Sequence, residues 1–234
     1  MLYQERLDSP PTNELSGMIY QQPDWGVANL ARVTGWQGAG VDVDWSLLAA
    51  MMGVQLPDDY QRYCSVFPPG DFQSWLAVIV PIPGLPYQKF IDDLVVLADH
   101  WTSMAGGRAQ TYAGQNKPAH ASWPAMFPTP GGLIPWGFIE QDWILCWEPS
   151  ARPPKTWPSI LCTLMYDRLT YRFNGTMTQC IGSLISDPNI FPLLSYVAEE
   201  SSRPRFYPYP REGYPKPNSS SLGPAVPLVR DAER

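Results

Sequence analysis

The stretch from Gly131 to Pro149 constrains this chain more than any other. It reads as two short, very apolar strands joined by a turn of about four residues. Pro135 marks an edge position or a bulge, because it brings no amide hydrogen to a ladder, and Pro149 ends the second strand. A ribbon carrying Trp136, Trp143 and Trp147 needs cover on at least one face, so it is expected at the centre of a sheet, with the helices before and after it as the cover. Successive side chains of a strand alternate between faces. Trp136, Trp143 and Cys146 therefore do not all point one way, and some large side chains are expected to face outward, where a partner can land.

The remainder of the chain is large enough to supply that cover. Its 234 residues, 44% of them hydrophobic, support one domain of about 150 to 200 residues. The 27 prolines and 18 glycines favour turns over long helices. A net charge of −6 argues against nucleic acid and for a basic protein or peptide as partner. Residues Met1 to Asp8 lack the basic start and apolar run of a secretory signal, and the most apolar window, Trp75 to Leu85, is cut by Pro81 and Pro83. A cytoplasmic protein without membrane association is expected. Cys64, Cys146, Cys162 and Cys180 form no CxxC pair and lie in apolar patterns, which predicts reduced core thiols, with no metal and no cofactor.

The punctuation becomes regular after residue 35. Residues 1–35 are polar and aperiodic and read as an N-terminal extension, and Gly35 to Gly40 lacks the order of a phosphate loop and reads as a flexible lead-in. Asp44 caps a helix whose inner stripe is Trp45, Leu48 and Met52, with Gly53 as its stop and Val43 against Leu48 as a staple. A second helix opens at Pro57, with Asp58 and Asp59 complementing its positive end, and buries Tyr60, Tyr63, Cys64 and Phe67. Trp75 to Val80 fits a central strand. The longest helical pattern follows Pro86, with Phe90, Ile91, Leu94, Val95, Leu97, Ala98 and Trp101 on one face, Asp92 and Asp99 opposite, and an end near Gly106-Gly107. Residues 105–130 read as a long loop.

Beyond the central ribbon, Trp157 to Met165 reads as a third strand of its sheet. Leu169, Tyr171 and Phe173 alternate with polar residues as a fourth, antiparallel to the third. Thr176 and Gln179 form a capping box ahead of Cys180, Ile181, Leu184 and Ile185, and Asp187-Pro188 stops that helix. A further short helix is expected from Phe191 to Glu199. Residues 200–234 are rich in Pro, Tyr, Arg and Ser and predict an extended or disordered tail, with the Tyr and Pro residues as possible docking anchors.

In order and spacing these motifs resemble the SUKH superfamily, which includes a yeast cell-wall regulator and many bacterial immunity proteins. The likeness is carried by Leu56-Pro57-Asp58-Asp59-Tyr60, Gly70-Asp71-Phe72, Gly131 to Gly137, Trp147, Trp157-Pro158 and the helix around Leu184-Ile185. It spans residues 44 to 187, within a domain placed at 36–199. The chain departs from the family pattern at Glu140-Gln141-Asp142 and at Pro69-Gly70-Asp71-Phe72, and both terminal segments lie outside the likeness. The resemblance implies an α+β fold, a mostly antiparallel sheet of about six strands with helices packed against it. It also implies a non-catalytic protein that binds and neutralises a cognate toxin, often a nuclease or deaminase.

The residues themselves offer little for chemistry. There are two histidines: His100 beside Asp99 and Trp101, where a surface or cap role is expected, and His120 in the long loop. No catalytic set is assigned. For binding, acids interleave with aromatics, and the expected partner-binding residues are Glu140, Asp142, Trp143, Glu148 and Asp71. The partner expected is a basic toxin domain, met by a monomer or weak dimer. An interaction hub that docks through the Pro/Tyr tail is the alternative, and a hydrolase using His100 or Cys64 a third.

Overall fold

The computed structural model describes residues 13–14, 25–113, 124–140, 143–149, 157–163, 170–187 and 204–209, with backbone alone for 13–14 and 105–113. The central ribbon forms as its sequence dictates. β4 (Ile134–Ile139) and β5 (Trp143–Trp147) pair antiparallel, with Ile134 opposite Trp147 and Ile139 opposite Trp143. Pro135 marks a bulge inside the sheet: the register shifts between Pro135 and Gly137, leaving Trp136 as the extra residue. Gly137 is required there, because a Cβ would lie 2.6 Å from the Ala77 carbonyl oxygen on the next strand.

The ribbon sits in mid-sheet. β1 (Asn13–Glu14), β2 (Gly70–Phe72), β3 (Leu76–Val78), β6 (Ser159–Thr163), β7 (Thr170–Phe173) and β8 (Phe206–Pro208) complete one sheet of order β1-β7-β6-β5-β4-β3-β2-β8. Seven of the strands pair antiparallel, and the two residues of β1 join β7 in parallel. With five helices, α1 (Val27–Thr34), α2 (Trp45–Met52), α3 (Asp58–Val66), α4 (Tyr87–Ala113) and α5 (Met177–Ser186), the molecule is α+β. The strand count slightly exceeds the six expected.

Both faces of the sheet are covered. Trp143, Leu145 and Trp147 of β5 join Leu161, Tyr171 and Phe173 and the inner stripes of α1, α2, α3 and α5 in the larger core. Ile144 and Cys146 point the other way, into a second cluster with Ile160, Cys162, Ala98, Trp101, Met126 and Leu133. α4 serves both, with Phe90, Ile91 and Leu94 in the first core and Ala98 and Trp101 in the second. This double cover explains why all five β5 side chains are buried.

Local signals set the helix ends. The Asp44 carboxylate accepts from the Leu47 amide and Gly53 ends α2 at φ +70°. Thr176 and Gln179 close the capping box of α5. The buried residues of α3 include Tyr60, Tyr63 and Cys64, with Phe67 just beyond, as expected. The second carboxylate of α3, however, turns inward. Asp59 is buried and accepts from the Thr178 amide at 3.1 Å, so one carboxylate serves the N-terminal ends of both α3 and α5. Burial raises its pKa, against the lowering effect of hydrogen bonds from Thr178 and Thr176.

Four expectations need correction. The stretch 1–35 holds α1, whose Leu30 is fully buried, and Trp25, which packs so close to α5 that a Cβ on Gly182 would lie 2.2 Å from its ring. The 35–40 segment is pinned rather than flexible. Trp36 Nε1 donates to the Val66 carbonyl at 2.8 Å and Val41 N to that of Cys64 at 2.7 Å, satisfying carbonyls at the end of α3. α4 continues through Gly106-Gly107 to Ala113, since Ala105, Arg108, Ala109 and Gln110 around the two glycines favour helix. Part of the tail, Phe206–Pro208, is a strand of the sheet. The short helix expected at Phe191 to Glu199 lies outside the described residues.

Candidate functional site

The five residues expected to form an acidic binding face do not come together. Trp143 is 1% exposed and meets the Tyr171 ring at a tilted angle with centroids 5.8 Å apart, so it is a core residue and presents nothing to a partner. The strand that was to turn its large side chains outward meets a second core instead. Glu140 is exposed at the β4–β5 turn with φ +48°, and its amide donates to the Trp75 carbonyl at 3.0 Å. Glu148 follows the far end of β5, at the opposite end of the sheet from Glu140, where it pairs with Arg172 of β7. Asp142 lies outside the described residues.

Asp71 belongs with Glu140 at one end of the sheet. It sits in the middle of β2, opposite Ala77 on one side and Tyr207 on the other. Its carboxylate accepts from the Ser74 amide at 3.0 Å and so closes the β2–β3 turn, in which Gln73 and Ser74 both hold left-handed φ angles, +55° and +64°. Partial burial raises the Asp71 carboxyl to about 6, against the opposing hydrogen bond from Ser74.

A second surface feature carried no motif. Leu47 and Met51 project from the outer side of α2, 50% and 42% exposed. With Leu85, 42% exposed, and with Pro86, Tyr87 and Gln88 at the start of α4, they line an open hollow of about 340 Å³. The Tyr87 hydroxyl and the Asp44 backbone amide lie 2.6 Å apart, which ties the α4 side of the hollow to the start of α2. Exposed acids border it: the Asp44 carboxylate accepts from the Leu47 amide ahead of α2, with Asp42 exposed two residues earlier, and Asp92 of α4 accepts from the Gln88 side chain. The available signal was the composition of α2: its eight residues include Trp45, Leu47, Leu48, Met51 and Met52, so apolar groups fall outside the inner stripe as well as on it.

The candidate reactive groups are unsuited to nucleophilic work. Cys64 and Cys180 are fully buried, and burial pushes both thiols up; the Cys146 thiol is raised too, by burial and by the neighbouring Cys162. His100 is exposed in mid-helix, and His120 lies outside the described residues. Among the described residues no group of three His, Cys, Asp or Glu side chains is placed to hold a metal ion. No helix among them is long and apolar enough to cross a membrane.

Comparison with known proteins finds no matching family model, no matching curated protein and no matching solved structure. The SUKH resemblance therefore stands on its motif order alone.

Proposed function

We propose that this chain is a non-catalytic protein-binding domain that captures a basic protein partner, and that it acts as an immunity protein neutralising a cognate toxin. The observation that carries the binding reading is the α2–α4 hollow. Leu47, Met51 and Leu85 keep large apolar side chains in water beside exposed acids, on a chain of net charge −6. Apolar anchors within an acidic surround favour a partner with an apolar patch framed by Lys and Arg. The immunity role comes from the SUKH resemblance, and the α+β architecture with its antiparallel sheet is what that resemblance leads one to expect.

The test is direct. Purified chain is mixed with basic nuclease and deaminase toxin domains, any encoded beside it first, and the complex is followed by calorimetry and by rescue of cells expressing the toxin. Leu47→Asp combined with Met51→Asp should weaken binding by about 100-fold or more, as expected when two anchors of one interface are lost. Raising the salt should slow association of the unaltered pair. A chain that neither binds nor protects sinks the reading.

A further inference from the structure

The edge of the sheet at β2 is built like a peptide-binding groove, and it is filled by the chain itself. β8 adds to β2 antiparallel, with Gly70 opposite Pro208, Asp71 opposite Tyr207 and Phe72 opposite Phe206. Backbone bonds extend the pairing at both ends, from Gln73 N to the Arg205 carbonyl and from Tyr209 N to the Pro69 carbonyl, each 2.9 Å. Side chains of the added strand alternate. Phe206 is 7% exposed and Tyr207 42%.

The pocket that takes Phe206 is made of residues from far earlier in the chain. Its ring meets those of Trp36, Phe67 and Phe72 at centroid distances of 5.0, 4.9 and 5.1 Å. The wall residues are fixed without help from the tail: Trp36 by its bond to the Val66 carbonyl, and Phe67 by stacking on Tyr63 at 4.9 Å. Gly70 leaves the room, since a Cβ there would lie 2.5 Å from the Phe206 ring and 2.6 Å from the Tyr207 carbonyl oxygen. Main-chain pairing along an exposed edge, with a pocket for one side chain of each alternating pair, is how strand-adding domains read extended peptides. The occupant is a three-residue strand at the border of the sheet, paired with β2 alone, so Phe206 is the one buried side chain of β8 that a local opening exposes.

We propose that the β2 edge with its Trp36–Phe67–Phe72 pocket is a peptide-binding site, that Arg205–Tyr209 occupies it as an internal stand-in, and that release of this segment admits an extended segment of another protein. The incoming segment carries an aromatic residue for the pocket, a lysine or arginine next to it, and a proline after that. Asp71 sets the middle position, because it lies directly opposite Tyr207, where a cation would meet a carboxylate across the two strands. The proline is tolerated because the groove borders the sheet. The occupying segment already shows the pattern in part, with Arg205 ahead of Phe206 and Pro208 two residues after it. The site is separate from the α2–α4 hollow, so substitutions at Leu47 and Met51 leave it intact and the two readings fail independently.

The experiment uses the full chain with Phe206→Ala, which empties the pocket while keeping every other residue. Labelled pentapeptides Arg-Phe-Tyr-Pro-Tyr and Arg-Phe-Lys-Pro-Tyr are titrated and followed by fluorescence anisotropy. Both should bind the variant about tenfold or more tightly than the unaltered chain, whose own segment competes at high effective concentration. The lysine peptide should bind roughly threefold tighter than the tyrosine peptide, a preference that disappears when Asp71→Asn is added. A peptide with alanine in place of phenylalanine should not bind. Absence of binding to a variant that circular dichroism shows to be folded overturns the proposal, as does equal binding to variant and unaltered chain. Hydrogen exchange of the unaltered chain gives a second reading. The Gln73 and Tyr209 amides should exchange well before those of β5 and β6, and equal protection overturns release. A dimer of the unaltered chain that is lost in Phe206→Ala would put a second copy in the groove and overturn the assignment to a foreign partner.

Discussion

At the scale of single residues, Asp71 is where charge and stability meet. It keeps a hydrogen bond that closes a turn, yet partial burial raises its carboxyl to about 6 from an ordinary value of 3.8. Between those two values the folded chain holds a proton that the unfolded chain has released, so stability falls as pH rises through this window. Asp71→Asn keeps an oxygen for the Ser74 amide and carries no charge to bury. Its melting temperature should therefore climb relative to the unaltered chain between about pH 4 and pH 6 and hold a constant lead above that. A melting profile that tracks the unaltered chain across the window would show that Asp71 is solvated. Asp59 shows what neighbours in sequence leave out. Its place at a helix start predicted a dipole partner for α3, and only the fold adds burial and the Thr178 amide at the start of α5.

At the scale of elements, the β2–β3 turn is the place where local conformation and sequence disagree. Gln73 and Ser74 hold consecutive left-handed φ angles in a three-residue connection between the paired Phe72 and Leu76, a conformation that favours Gly or Asn, and neither stands there. Gln73 is held from outside by a bond from its side-chain amide to the Ile185 carbonyl at 3.4 Å. Ser74→Gly should relieve the backbone and stabilise the chain by about 1 kcal/mol, read from urea unfolding. A loss of stability would mean that the Ser74 side chain contributes a contact that outweighs the relief.

The elements that could be read in advance are those whose signals are local. Asp44 and Gly53 bound α2, Thr176 and Gln179 open α5, and Tyr171 and Phe173 face inward from β7. What escaped depends on distant residues. Trp143 turned from a candidate anchor into core because its face of β5 meets the helices of the larger core, while Ala98 and Trp101 of α4 cover the other face, over Ile144 and Cys146. β8 was hidden because a proline-flanked tripeptide shows no strand pattern until β2 and an aromatic pocket are brought to it. Gly106-Gly107 misled for the reverse reason: a local breaker was outweighed by its helical neighbours.

At the scale of the whole molecule, the four cysteines report on its integrity. Each is a free thiol and each is buried, divided between the two cores, with Cys64 and Cys180 in one and Cys146 and Cys162 in the other. Native chain at about pH 8 should yield almost no colour with Ellman's reagent, and all four thiols should react in concentrated guanidinium. Rapid labelling of the native chain would show that one of the cores opens readily.

The strand order also fixes how this molecule answers to force. Among the described residues β1 and β8 are the outermost strands, on opposite borders of the sheet. Tension applied through those two strands runs across the ladders, along the direction of their hydrogen bonds, and loads the rungs one after another instead of all at once. The sheet should come apart like a zip from its margins, giving way under gentle pulling even where slow heating finds it robust.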